Sequence, residues 1–150
     1  MKWRSSFLAV CAASLFLTSA AHAGEKKLMH CFAWTSIKDA DQADWDAFFN
    51  ASDLLPSKIK GITHVWYGKL AAPLSQYNVE AQGDAQQKLR KGEATPVTAQ
   101  RVPRDWGMCM EMAGPAVLKA YDTDPYHKKW TDAYAKIRVE GTTTFNILGQ

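Results

Sequence analysis

The segment YDTDPYHKKW, Tyr121 to Trp130, sets a tyrosine and a histidine a few positions apart. A neutral imidazole can take a proton as a general base, and a phenol can donate a hydrogen bond to an oxygen on which negative charge collects. His127 falls in the first turn of a helix that Asp124 caps and Pro125 opens. The helix N-terminus and the adjacent Lys128 and Lys129 all disfavour a protonated imidazole, so the placement biases His127 toward the form a base requires. The spacing to Trp130 and Tyr134 puts His127 on the inward stripe of that helix. His30, in the segment LMHCFAW, is a third candidate that could orient the pair or relay a proton. Each of the three also has a purely structural reading: His127 bonded to backbone at a helix start, Tyr121 a core aromatic, His30 a satisfied histidine between sheets. Lys128 and Lys129 point to solvent in the simplest reading, or draw an anionic substrate toward the site.

Other chemistries lack their motifs. The chain has no glycine-rich phosphate loop, no nucleophile elbow, and no histidine and carboxylate cluster with metal-ligand spacing, so neither a cofactor nor a metal is expected.

The elements that must hold these residues can be read from periodicity. Leu28 to Trp34 alternates as a first strand, with Leu28, His30, Phe32 and Trp34 on one face and Met29, Cys31 and Ala33 on the other. From Asp39 onward Ala43, Trp45, Phe48, Phe49 and Leu55 recur at helical spacing, and the helix is expected to end before Pro56. Gly61 to Gly68 reads as a second strand and Asp105 to Met112 as a third, the latter with Trp106, Met108, Met110 and Met112 on one face. Between Leu70 and Arg104 the chain is polar and proline-bearing; it predicts a long excursion or surface loop with at most one short helix over Val79 to Lys91. A helix starting at Pro115 and a second at Pro125 precede a fourth strand, Thr142 to Leu148.

This order predicts an α+β domain of the ferredoxin-like β-α-β-β-α-β type, with a four-stranded antiparallel sheet and helices on one face. Both sheet faces are apolar. Taking His30, Phe32, Trp34, Trp106, Met108 and Met110 as the helix-free face, a homodimer packing sheet on sheet would cover them and enclose a pocket, a dimeric α/β barrel. Those residues, with Trp66, are then the expected binding wall for a small molecule. Cys31 and Cys109 would share the helix side of the central strands, where either a disulfide or a pair of buried thiols fits.

Residues 1–23 read as a signal peptide: Lys2 and Arg4, an apolar run from Phe7 to Leu17, and small residues ending at Ala23. Residues 24–150 are then one exported domain, secreted or periplasmic, with no membrane association after cleavage. Eighteen Lys and Arg against fifteen Asp and Glu give a net charge of +3, and losing Lys2 and Arg4 leaves the domain nearly neutral. No nucleic-acid footprint is present, because the basic run QQKLRKGE carries no interleaved aromatics.

LMHCFAW, THVWYGK and above all AYDTDPYHKKW resemble the stress-responsive dimeric A/B barrel (Dabb) domains, over about Lys27 to Leu148. The resemblance implies a homodimer with a barrel cavity. A plant polyketide cyclase of that family uses a tyrosine and a histidine in this segment, which implies Tyr121 and His127 as the matching catalytic pair and His30 as its first-strand histidine. Trp106 stands where that cyclase has a further pocket histidine, so its reaction does not transfer directly. The expectation is a small, partly apolar ligand in the barrel, with cofactor-free acid–base chemistry of lyase, isomerase or cyclase type. Its alternative is a non-catalytic ligand-binding or stress-associated protein of the same fold.

Overall fold

The computed structural model describes residues 26–149, so the expected signal segment 1–23 lies outside the described residues. Strand β1 (Leu28–Ser36) leads into helix α1 (Gln42–Lys58), strand β2 (Ile62–Glu80), a short helix α2 (Gly83–Arg90) and strand β3 (Thr98–Met112). Helices α3 (Pro115–Asp122) and α4 (Pro125–Ile137) follow, then strand β4 (Arg138–Leu148). The sheet runs β2-β3-β1-β4 with every neighbour antiparallel, the ferredoxin-like arrangement, and β1 and β3 lie at its centre as expected.

Local chemistry sets the helix ends. Asp41 caps α1 by accepting from the Ala43 amide at 2.8 Å, and Asp124 caps α4 by accepting from the Tyr126 amide at 2.7 Å. Helix α1 does not stop before Pro56 but carries it inside its last turn and runs to Lys58. A proline there removes one amide donor, and the Ile59 amide closes the end by bonding the Leu55 carbonyl at 2.9 Å.

The two sheet faces are the reverse of the expected assignment. Phe32, Trp34, Met108 and Met110 are buried against Phe48, Leu55, Trp130 and Tyr134 of α1 and α4, and Trp106 packs beside Trp45 and Phe49. The helix-free face instead carries the row Trp66, Cys109, Cys31 and Phe145, with Gly107 and Ala33 in the next row. Alternation separates the two sets but does not say which faces the helices. Volume decides it: the space beneath two helices needs bulky side chains, and each one fully buried there contributes roughly 1.5–3 kcal/mol. Cys31 and Cys109 are directly opposed and joined in a disulfide, on the helix-free side rather than the helix side.

The segment expected to be a loop is ordered as a β arm. Strands β2 and β3 remain paired from Leu74↔Arg104 out to Glu80↔Thr98, beyond an irregularity between Lys69 and Leu74 that accommodates Pro73. Helix α2 at its tip falls within the expected helical stretch. The arm leans over the helix-free face: Leu70 covers Gly107, where a Cβ would come 2.8 Å from Leu70 Cδ2, and the Thr143 hydroxyl of β4 bonds the Gln76 side-chain carbonyl. Thr35 Oγ1 also donates to the Pro103 carbonyl at 2.6 Å. Polar composition misled the sequence reading because an arm paired along its backbone needs little apolar burial of its own.

Candidate functional site

The break between α3 and α4 builds the site. Helix α3 stops at Asp122, the Asp124 amide bonds the Tyr121 carbonyl at 3.1 Å, and Asp124 immediately caps α4. This turn lays the His127 ring against that of Tyr121, centroids 3.9 Å apart. His30 on β1 reaches the same place from the sheet, its ring centroid 6.1 Å from that of Tyr121. All three line one pocket of about 270 Å³ between the helix pair and the β1–β4 side of the sheet, with Phe32, Trp130 and Tyr134 as aromatic walls.

Each polar group in this pocket has a definite environment. His30 Nδ1–H donates to Asn146 Oδ1 at 2.7 Å, which fixes the orientation of the ring and leaves Nε2 outside that bond. Tyr121 is buried, and desolvation, reinforced by the Asp122 carboxylate, pushes its hydroxyl well above the usual tyrosine range. It therefore stays a neutral donor at any ordinary pH. Thr131 Oγ1 donates to the His127 carbonyl at 2.8 Å, bracing the first turn of α4. The neighbouring lysines are engaged outside the pocket: Lys128 pairs with Asp132 at 2.8 Å, and the Lys129 ammonium lies 5.8 Å from the Tyr126 ring centroid. At the other end Tyr134 OH and Thr142 Oγ1 are 3.1 Å apart, and Arg138 covers the Tyr134 ring.

Of the residues expected to line a ligand, Phe32 shares the pocket with the three polar candidates. Trp34, Met108 and Met110 close the core under the helices, and Trp106 borders a recess beside Trp45. Trp66 lies on the opposite face, half-exposed, at the edge of an apolar cavity of about 620 Å³ lined also by Leu70, Leu74 and Phe145. The intersheet wall expected from Trp34, Trp106 and Met110 is thus corrected to Trp66, Phe145 and the foot of the arm, while Phe32 and Met108, packed against the helices, also border that cavity from the central strands. The sequence does not single out Arg138, Thr142 and Thr144, which line the pocket, or Asn146, which holds His30 from outside it. Asn146 left a faint signal as a lone amide in the apolar end of TTTFNIL, but only the register His30↔Asn146 gives it a partner. Among the described residues no group of histidine, cysteine and carboxylate side chains is arranged to hold a metal.

No family model matches the sequence, and no curated protein does. Solved structures do match in fold. A hydroxynitrile lyase from Passiflora edulis is 10% identical, with a TM-score of 0.54, over 85% of this chain and 95% of its own. A dimeric ferredoxin-like protein of unknown function from Thermobifida fusca is 12% identical at a TM-score of 0.53, over 83% and 92% of the two chains. A Dabb family protein with a ferredoxin-like fold from Mesorhizobium loti is 15% identical at 0.52, over 84% and 99%. The chain therefore shares its ferredoxin-like fold with a Dabb family protein and with proteins described as dimeric.

Proposed function

We propose that this protein is an exported homodimer that binds a small, partly apolar molecule in the pocket between α3–α4 and β1, and performs cofactor-free proton transfer on it. The observation that carries this reading is the convergence of His30, Tyr121 and His127, from three separate elements, on one aromatic-walled pocket. In this mechanism His127 takes a proton from a substrate hydroxyl or from a carbon next to a carbonyl, and returns it later in the cycle. The neutral Tyr121 hydroxyl donates a hydrogen bond to the oxygen that gains negative charge. His30, oriented by Asn146, offers Nε2 as a proton acceptor or relay. A lyase, isomerase or cyclase step needs no more than these roles, and the fold likeness to a hydroxynitrile lyase is consistent with that class.

The helix-free face supports the dimer. Trp66 is 54% exposed, Phe145 49% and Ile147 54%, an apolar patch that a second sheet would cover. The Cys31–Cys109 disulfide supports export, since such bonds persist in oxidising compartments.

The test is a panel of cyanohydrins and aryl ketones, assayed for cleavage and for deuterium exchange next to the carbonyl. Wild-type turnover that falls by roughly 10²–10⁴ in His127→Ala, with the fold retained, is the expected result. Ligands that raise thermal stability without being converted would make the protein a binding protein and end the catalytic reading.

A further inference from the structure

Arg138 is the C-cap of α4 and the first residue of β4, and it lines the same pocket as His30 and His127. Its guanidinium carbon lies 4.7 Å from the centroid of the Tyr134 ring. Its Nε is buried without any hydrogen-bond partner, and its Nη1 reaches only the Val139 carbonyl at 3.5 Å. Among the described residues Arg138 forms no ion pair. A buried guanidinium donor left empty is costly, because it loses water without gaining an acceptor. Stacking on Tyr134 holds the planar fork in one orientation, so less freedom is lost when an acceptor arrives.

The surroundings strengthen the positive potential at this end. Arg104, only 3% exposed, does not line the pocket but acts on Tyr134 through space from the other side of the sheet, where it donates Nε to Thr143 Oγ1 and Nη1 to Thr35 Oγ1, both at 3.3 Å, with no carboxylate partner among the described residues. Asp122, the one acid on the pocket wall among the described residues, follows Tyr121 on α3, beside the tyrosine–histidine pair. The pocket thus has a cationic end at Arg138 and a neutral hydrogen-bonding end at Tyr121 and His127, with aromatic rings between.

We infer that the pocket takes a carboxylate-bearing aromatic or short apolar molecule, its carboxylate bound by Arg138 and its other end presented to His127 and Tyr121. This rests on the pocket assigned under the proposed function and names the substrate class for it. Arg138 acts as a binding residue here, with no part in proton transfer. A planar fork suits a carboxylate, which can accept two hydrogen bonds from it.

Phenylacetate and its neutral isostere phenylacetamide are the probes, titrated into the full chain while the imidazole resonances of His30 and His127 are followed by NMR. Phenylacetate is expected to shift both resonances and to bind at least tenfold more tightly than the amide. Arg138→Gln should remove the preference, bringing phenylacetate to within about twofold of the amide. If Arg138→Gln loses its native circular dichroism, Arg138→Lys decides: at least a threefold loss for phenylacetate alone is expected, because lysine keeps the charge but not the fork. Equal binding of the two probes by wild type, no binding of phenylacetate, or an unchanged preference in the folded variants overturns the inference. Failure of the proton-transfer reading looks different, as absent turnover with the carboxylate preference intact.

Discussion

The rings of Tyr121 and His127 lie with centroids 3.9 Å apart, tilted by 34°, although they belong to different helices. In one continuous helix, residues six apart would lie roughly 120° apart around the axis and about 9 Å along it, on different faces. The break at Thr123, enforced by Pro125 and capped by Asp124, folds the chain back so that both rings enter one pocket. A conventional N-cap thereby creates the site, and the hydroxyl it buries gives a measurable signature.

Burial pushes the Tyr134 hydroxyl up to about 12, as it does that of Tyr67, and Tyr121 further still. The folded protein therefore holds protons that an unfolded chain releases near pH 10. The stability this contributes is complete below about pH 10 and is lost as pH rises through about 12, so unfolding free energy falls across that window. Urea midpoints should be lower at pH 11.5 than at pH 9, and absorbance at 295 nm should show delayed ionisation in the native protein. A single native titration of all five tyrosines near pH 10 would contradict the burial.

Helix α4 is tied to α1 by one buried polar contact, Trp130 Nε1 donating to Ser52 Oγ at 2.9 Å, with Ser52 wholly inaccessible. Ser52→Ala strands that indole N–H and should cost about 1–3 kcal/mol of stability, read from chemical denaturation. Because Trp130 lies one turn beyond His127, the variant should also disturb the His127 resonances. An unchanged midpoint would mean that the contact does not anchor α4.

Dimerisation should depend on the helix-free face. Trp66→Glu places a charge within the proposed sheet-on-sheet contact, on the edge strand β2, where burial without a partner is strongly unfavourable. Light scattering should show a dimer for wild type and a monomer with native circular dichroism for the variant. A wild-type monomer, or a variant that remains dimeric, would locate the contact elsewhere or remove it.

The Cys31–Cys109 bond spans a sequence separation of 78, and closing a loop of that length is worth roughly 4–5 kcal/mol in the chain-entropy account. Reductant should raise the intact mass by two hydrogens and lower the thermal midpoint by several degrees. Cys31→Ala with Cys109→Ala should reproduce that loss and become indifferent to reductant. No mass change in oxidised protein would mean that the thiols are free.

Much of the fold was legible because its signals are local. The alternation in LMHCFAW and DWGMCMEM, the Asp124–Pro125 helix start and the strand and helix order all depend on neighbours in sequence. The arm was not legible: residues 98–104 carry no apolar alternation and residues 74–80 only the short Gln76–Glu80 stretch, so their pairing is what makes them strands. The candidate site was legible in Tyr121, His127 and His30, whose residue types fit one chemistry. Arg138 and Asn146 were not, because a cation past a helix end and an amide in an edge strand mean nothing until register and packing give them neighbours.

The sequence by itself determined the periods, the caps and which residues share a face, since these follow from backbone geometry and side-chain size along a short stretch of chain. Tertiary structure alone decided which face meets the helices, and so moved Phe32, Trp34, Met108 and Met110 into the core and left Trp66 and Phe145 outside. The reason is physical: a strand's alternation is symmetric between its two sides, and only the volume available beneath α1 and α4 breaks the tie. The same packing brought Arg138 and His30 into the pocket of Tyr121 and His127 and set Asn146 against His30, contacts that span the chain and leave no mark on its local pattern.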